Sequence, residues 1–440
     1  MPPTLEWIRA SLDAVAVAMN PAQRPVRRSL PWLLAALSMI GPFSIDAVFP
    51  SFPSIGMRFG VDDAALQQMI SVYLITYAVM SLFHGAISDA IGRKPVMIAG
   101  MLLYALASVG AAQSTSFAML LVCRGLQGVC AGAGLVVGRA LIRDSLEGAA
   151  AQRLMAQVMM IFGVAPVIAP MVGALLLPLG GWHGIFWLLA GFTTVLSLVL
   201  WLLLEETHPR ERRTPFALRH LLAGYASFGR DRVFWPLLVS GSVNFAGLFL
   251  YIASAPRIVR QLLHLSAQGF PWLFIPVVTG LVGGAWLSGR MAGRASVRST
   301  VNLGYAVMVL ACALHIALAL AFPAARLPWS MLPLILHGIG VQLAFPTLTL
   351  LLLDRFPQRR GGISSIQAFA SLLLCSVVAG GLSPLLSGSM LGLALGASVL
   401  TGVGALAWWR YQAPGRRALD RGLPDTDPAT VIQAEIAEPH

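Results

Sequence analysis

Gly85-Ala86-Ile87-Ser88-Asp89-Ala90-Ile91-Gly92-Arg93-Lys94-Pro95 is a short polar hinge between two apolar runs, near 67–88 and 95–113. Its glycines permit close approach of helices, and Asp89 is placed to accept from the N-terminal end of a neighbouring helix. Arg93 and Lys94 are placed to tie the connection to carboxylates. A turn that only kept positive charge on one side of a membrane would need Arg93 and Lys94, but not glycine and aspartate at fixed spacing. The spacing therefore points to a conformational latch made of Gly85, Asp89, Gly92, Arg93 and Lys94.

The composition agrees with membrane helices on both sides of that hinge. The chain has 440 residues, 57% of them hydrophobic and 11% charged, and its mean hydropathy is +0.77. A soluble protein of this size carries more charge. Runs of the length that crosses roughly 30 Å of hydrocarbon, about 20 residues, fall near 31–53, 67–88, 95–113, 117–139, 152–178, 182–204, 235–258, 270–292, 300–322, 329–353, 362–387 and 390–409. The predicted fold is all-α, with twelve transmembrane helices.

With both termini placed in the cytoplasm, the N-terminal tail, the even-numbered connections and the C-terminal tail hold 25 of the 30 Lys and Arg. The opposite face holds Arg58, Arg257, Arg260 and Arg326, and Arg124 lies within a span. This asymmetry fixes the expected orientation. The net charge of +12 sits in short juxtamembrane loops, which suits anionic lipid and argues against nucleic acid as a partner. Glu6 and Asp13 interrupt the N-terminal apolar residues, so no cleavable signal is expected. Leu5, Ile8, Leu12, Val15 and Met19 recur at helical spacing, as in an interfacial amphipathic helix, with a disordered tail as the alternative. Cys123, Cys130, Cys312 and Cys375 all fall within spans, as packing residues and not as a disulfide framework.

Polarity returns between Leu204 and Trp235, where Glu205, Arg210, Arg212, Arg213, Arg219 and Arg230 cluster. The expected organisation is an N-terminal segment over 1–30, six helices over 31–204, a cytoplasmic linker over 205–234, six helices over 235–410, and a polar, disordered tail over 411–440. A faint repeat supports two pseudo-symmetric six-helix bundles: Gly92-Arg93 is echoed by Gly293-Arg294, and Pro53 by Pro256. Trp32, Trp182, Trp235, Trp272, Trp329, Trp408 and Trp409 stand near span ends, where an indole buries its ring and keeps its N–H wet.

One aspartate, Asp46, lies inside the first apolar run, and Arg124 is its only plausible buried basic partner. Charges in hydrocarbon are costly enough to be read as functional. Burial favours the neutral acid and a nearby guanidinium favours the carboxylate, so Asp46 is poised to gain and lose a proton. A static ion pair that orders two helices, or for Arg124 a hydrogen bond to backbone carbonyls, is the structural alternative.

The hinge resembles the signature loop of the major facilitator superfamily, Gly-x-x-x-Asp-Arg-x-Gly-Arg-Arg/Lys, and departs from it only at Ala90, where the family usually has arginine. Asp46 with Pro50 and Pro53 resembles the aspartate and proline pattern of the drug:proton antiporters. Arg124-Gly-Leu-Gln127-Gly128 resembles the superfamily's Arg-x-x-Gln-Gly motif, and Gly163-Val-Ala-Pro166-Val-Ile-Ala-Pro170-Met-Val-Gly173 resembles the antiporter motif. Together with Trp182-His-Gly-Ile-Phe-Trp187, Glu206-Thr207, Phe345-Pro346, Asp354 and Gly361-Gly-Ile-Ser-Ser365, these are similar to the Bcr/CflA branch, bacterial exporters of bicyclomycin, phenicols and related compounds. The resemblance covers nearly all of 31–410. It implies the major facilitator fold, a bacterial inner membrane, and a first and fourth helix beside a central cavity.

On that plan Asp46 and Arg124 lie at one level, each roughly 10 Å from the outer ends of their helices at 1.5 Å per residue. Gln127 lies one turn from Arg124, and Asn244, Gln342 and Gln367 are isolated amides in apolar helices. Each is a candidate substrate contact or an interhelical hydrogen bond. Tyr73, Tyr77, Phe245 and Tyr251 are candidates for an aromatic wall, or for helix packing. His84, His315 and His337 are expected to pack helices, with a second proton carrier as the alternative.

The function expected is proton-driven export of small amphipathic compounds by a monomer, with no cofactor and no metal. The alternative is export, or proton symport, of a metabolite such as a nucleoside. Lys94, the only lysine, precedes Pro95, so no Gly-Lys-Ser/Thr phosphate loop exists for a primary pump. An enzyme is disfavoured, because no metal-spaced cluster and no nucleophile with a base appears within the spans. With Asp46 offset by Arg124, the cavity favours neutral or monocationic compounds.

Overall fold

The computed structural model describes residues 26–145, 148–291, 294–322 and 324–413. The expectations for residues 1–25 and 414–440, and for Gly293, lie outside these. Every regular element among the described residues is helical. Helix α1 (Val26–Asp46) continues through a 3-10 turn, Phe49–Ser51, into Phe52–Phe59. The chain goes on as α2 (Asp63–Ile91), α3 (Arg93–Ala112), α4 (Phe117–Ser145) and α5 (Gly148–Leu203). After a linker helix α6 (Leu218–Phe228) come α7 (Phe234–Leu262, in segments), α8 (Pro271–Met291), α9 (Val297–Ala321), α10 (Pro333–Arg355), α11 (Pro357–Leu386, in segments) and α12 (Met390–Gln412).

Eleven stretches of the described residues are long and apolar enough to cross a membrane, against the twelve expected. The difference lies in α5. Its apolar part, Val164–Leu203, has 40 residues, which at 1.5 Å each is about 60 Å, twice the hydrocarbon thickness. Gly181 breaks it at φ 58, ψ −160, a conformation outside the helical region that glycine alone takes readily. The fifth and sixth expected spans are thus joined without a loop.

Within the first half, α2 packs on α4, α3 on α4 and α5, and α1 on α5. In the second half, α10 packs on α8 and α9, and α12 on α7 and α9. The halves meet mainly where α2 runs along α11 and where α5 meets α8. The glycines of α4 serve close packing. A Cβ on Gly128 would run into the Tyr73 carbonyl of α2, and the Thr76 hydroxyl donates to the Gly125 carbonyl at 2.9 Å.

The linker is more ordered than its polarity suggests. Leu218, Leu221, Tyr225 and Phe228 recur at helical spacing in α6, and the Tyr225 hydroxyl donates to the Leu82 carbonyl at 2.6 Å. Phe228 is buried against Phe234 and Phe356. The linker helix therefore touches both halves. Trp32, Trp235, Trp272, Trp329 and Trp409 are exposed, as membrane-edge anchors require. Trp182 and Trp408 are buried instead, Trp408 donating to Asn302 Oδ1 at 2.7 Å.

Candidate functional site

Arg124 projects from α4 into the middle of the first half and is 1% exposed. Its Nε donates to the Met69 carbonyl at 3.2 Å, and its Nη1 donates to Ser44 Oγ at 3.0 Å and Gln127 Oε1 at 2.7 Å. The guanidinium lies 4.6 Å from the centroid of the Tyr73 ring, a cation–π contact. Tyr104 donates to Ser44 Oγ at 2.5 Å, Gln127 Nε2 donates to Ser108 Oγ at 2.7 Å, and Ser108 donates to the Tyr104 carbonyl. Four helices, α1 to α4, are joined in this buried network. Its cation is held by dipoles and an aromatic face, with no carboxylate.

The static ion pair between Asp46 and Arg124 is not formed among the described residues, whereas the bond from Arg124 to a backbone carbonyl is. The reason is helical geometry. Residues two apart point to opposite sides of a helix, and Ser44, two before Asp46, takes the side that faces Arg124. Depth along the membrane follows from residue counting; direction around the helix does not.

Asp46 closes the first segment of α1, is 3% exposed, and its Oδ1 has no hydrogen-bond partner. The helix gives way here because Pro50 has no N–H to return to the Asp46 carbonyl, and the chain tightens into the 3-10 turn at Phe49. The next residue, Ala47, lays its carbonyl on Gly173 of α5, where a Cβ would stand only 2.1 Å from that oxygen. The residue after the aspartate and Gly173, the last glycine of the Gly163 to Gly173 motif, therefore meet at one helix crossing. An isolated buried carboxylate is expensive to keep ionised.

The other candidates separate into two groups. Gln127 is fully buried with both amide atoms engaged in the Arg124 network, and Tyr73 lies beneath the guanidinium. Tyr77 is buried edge-on to Tyr73, with centroids 6.3 Å apart. Tyr251 stacks on His315 at 4.8 Å and shares a 3.0 Å hydrogen bond with its Nδ1, while His315 Nε2 meets the Ser330 carbonyl at 2.8 Å. Asn244 is buried beside Met308, and Gln367 donates to Thr349 Oγ1 at 2.8 Å. Gln342 on α10 and Phe245 on α7 are only half-buried. His84 is buried against Gly132 of α4, and His337 against Gly247 of α7.

The hinge forms a dense charged cluster. Arg93 pairs with Asp89 at 2.6 Å and with Asp144, at the end of α4, at 3.0 Å, and also donates to Ser88 Oγ at 2.5 Å. Glu206, just beyond α5, accepts from the backbone N–H of Arg93 at 3.0 Å and of Lys94 at 3.3 Å, so a carboxylate caps the start of α3. Lys94 Nζ donates to the Trp201 carbonyl at 2.9 Å. Gly92 has φ +115, and a Cβ there would strike the Glu206 carboxylate and the Arg213 guanidinium. Asp89 faces Arg93, four residues on, where a contact with a neighbouring helix end is expected from sequence. The carboxylates expected for Arg93 and Lys94 are Asp144 and Glu206, which the sequence left unassigned to this role although both lie on the same side of the membrane as Arg93.

The opposite end is a seam between the halves. Ser71 of α2 and Ser376 of α11 exchange hydrogen bonds: each hydroxyl donates to the other's carbonyl, at 3.0 and 2.8 Å. Gln68 Nε2 donates to the Gly380 carbonyl at 3.0 Å, and Gln67 Nε2 to the Ala253 carbonyl at 2.9 Å. Gly380 lies in a π turn, Val378–Leu382, and Pro384, four residues on, has no N–H to offer its carbonyl. Asp63 pairs with Arg257 at 3.4 Å and accepts from Gln261 at 2.8 Å, and Phe49 stacks on Phe270 and Phe274. The molecule is thus closed between its halves at the end away from the hinge.

A family model described as the Major Facilitator Superfamily matches residues 34–384. An uncharacterized MFS-type transporter of Bacillus subtilis, YdgK, is 30% identical over 355 residues, 80% of this chain and 88% of that one. A bicyclomycin resistance protein homolog of Haemophilus influenzae is 23% identical over 277 residues, 63% and 70% of the two chains. Among solved structures, a bacterial homolog of the human lysosomal transporter Spinster, in an inward-facing and occupied conformation, superposes with a TM-score of 0.65 at 16% identity, over 89% of this chain and 97% of that one. The last likeness shows the fold.

Proposed function

The chain belongs to the Major Facilitator Superfamily, a multi-pass membrane transporter and not an enzyme, and from that premise we propose that it is a proton-coupled exporter of small amphipathic drugs of the phenicol or bicyclomycin kind. It works as a monomer in the bacterial inner membrane with both termini cytoplasmic, and its halves, 31–204 and 235–410, rock about a midplane cavity. A relative named for bicyclomycin resistance supports the substrate class. The single observation that carries the coupling is Asp46: a buried carboxyl with an unpartnered oxygen, at a proline break, against the glycine of the antiporter motif.

In the seam-closed state Asp46 holds a proton. That proton passes to the cytoplasm as drug binds; when the seam opens and α1 shifts on α5, drug leaves on the side away from the hinge and Asp46 takes up the next proton there. Arg124 acts on α1 through Ser44, setting where the helix breaks, and does not neutralise Asp46 directly. Half-buried Gln342 and Phe245 are the substrate contacts best placed for access.

The test is the purified protein in liposomes under an imposed proton gradient, challenged with chloramphenicol and bicyclomycin. Wild type is expected to move drug uphill. Asp46→Asn is expected to insert, bind drug and permit only downhill movement. Undiminished uphill efflux by Asp46→Asn would overturn the coupling role.

A further inference from the structure

At the closed seam, between the halves, lies a cavity of about 310 Å³. Phe52, Pro53, Asp63 and Gln67 line it from the first half, and Pro256, Arg257, Arg260 and Gln261 from the second. Its apolar wall is the aromatic ring and the two prolines; the remaining residues give it a polar rim.

The polar rim is incompletely satisfied. Arg257 is engaged by Asp63, Gln261, Ser387 and the Pro384 carbonyl. Arg260 is exposed and makes no ion pair or hydrogen bond with the described residues. One carboxylate therefore stands against two guanidiniums, leaving one positive charge uncompensated. Gln67 is 2% exposed, and its Nε2 donates to Ala253, which fixes the amide orientation. Its Oε1 accepts from nothing, and a buried acceptor left unmatched costs free energy that a ligand's donor would recover.

We infer that this cavity is a ligand site for a small organic monoanion, a carboxylate on an apolar ring that also carries a hydroxyl or N–H donor. The carboxylate meets Arg260 and the free face of Arg257, the donor meets Gln67 Oε1, and the ring lies on Phe52, Pro53 and Pro256. Both halves contribute to the site, so it exists only while the seam is closed. A ligand that binds one of two states shifts the population toward it. Such a solute, arriving from the side away from the hinge, acts as a brake on opening.

The experiment uses the full chain in nanodiscs with 4-hydroxybenzoate as the probe. Benzoate lacks the donor, 4-hydroxybenzyl alcohol lacks the charge, and inorganic phosphate lacks the ring. All four native cysteines are buried, so Arg58→Cys and Gln268→Cys, exposed on the two halves at this end, take spin labels that report the seam distance. Saturable binding of 4-hydroxybenzoate is expected, with benzoate and the alcohol at least tenfold weaker and phosphate not competing. At ten times its Kd it should raise the closed-to-open ratio about elevenfold.

Arg260→Gln, at an exposed side chain with no partners, should fold and bind at least tenfold more weakly. Arg326→Gln, the same charge change outside the cavity, should bind as wild type. Asp46→Asn, which mimics the protonated group of the closed state, should bind saturably and no more weakly than wild type while losing uphill efflux, which separates this inference from the coupling role. Four results would each overturn it: no saturable binding, equal affinity for the three organic probes, equal losses in Arg260→Gln and Arg326→Gln, or binding with no change in label distance.

Discussion

The hinge end and the seam end of the molecule are tied by different chemistry. At the hinge, Arg93 joins Asp89 and Asp144, and Glu206 caps α3, all within the first half and its exit into the linker. At the seam, the bonds that cross from one half to the other are mostly neutral, hydroxyl or amide to carbonyl, with one partly exposed ion pair, Asp63 to Arg257. Charge-assisted hydrogen bonds are roughly twice as strong as neutral ones. On the proposed cycle, the contacts that stay within one half are thus the strong ones, and those that cross the seam are individually weak, near 1 kcal/mol.

That difference can be broken experimentally, most severely at Gly92. Gly92→Ala meets both a positive φ and the Glu206 carboxylate. The strained backbone alone costs about 1–3 kcal/mol, and most of the folded protein is expected to be lost, as read by fluorescence-detected size exclusion. Arg93→Ala comes next. Removing one partner of a buried pair costs about 3–5 kcal/mol, and the partial exposure of Asp89 and Asp144 reduces this to about 2. A lowered unfolding temperature in detergent, partly restored by Arg93→Lys, is the expected outcome.

Glu206→Gln keeps an acceptor for the α3 amides and loses the charge, so a drop of about 1 kcal/mol is expected in the same assay. The smallest effect on stability is expected at the seam. Ser71→Ala and Ser376→Ala should each cost less than about 1 kcal/mol, yet shift the label distance across the seam toward the open state. Their double-mutant cycle should show coupling. If the seam variants lost stability and the hinge variants did not, the distinction between permanent and cyclic contacts would fail.

Much of the fold is legible in one dimension. Apolar length, the side preference of arginine and the glycine-aspartate-arginine spacing identify membrane helices, their sequence and the superfamily, because hydrocarbon imposes the same constraint on every span. Where the reading misses, it misses for local reasons. Gly181 joins two spans with no polar loop to mark the boundary, and α6 hides an amphipathic helix among arginines. Of the candidate contacts, Gln127 and Tyr73 face Arg124 inside the first half. Ser44, Tyr104 and Ser108 complete that network without any charge to mark them in the sequence.

The sequence by itself determined that this chain crosses the membrane repeatedly, that it has the major facilitator plan, and that Asp46 and Arg124 are costly charges within its apolar helices. Only the tertiary structure decided how those charges are used. Helix azimuth turns Ser44 to Arg124 and leaves an Asp46 oxygen alone, and chain distances of 305 residues are closed at the seam between Ser71 and Ser376. The physical reason is that hydropathy is additive along the chain, whereas hydrogen bonds between helices depend on rotation and register, which packing alone sets.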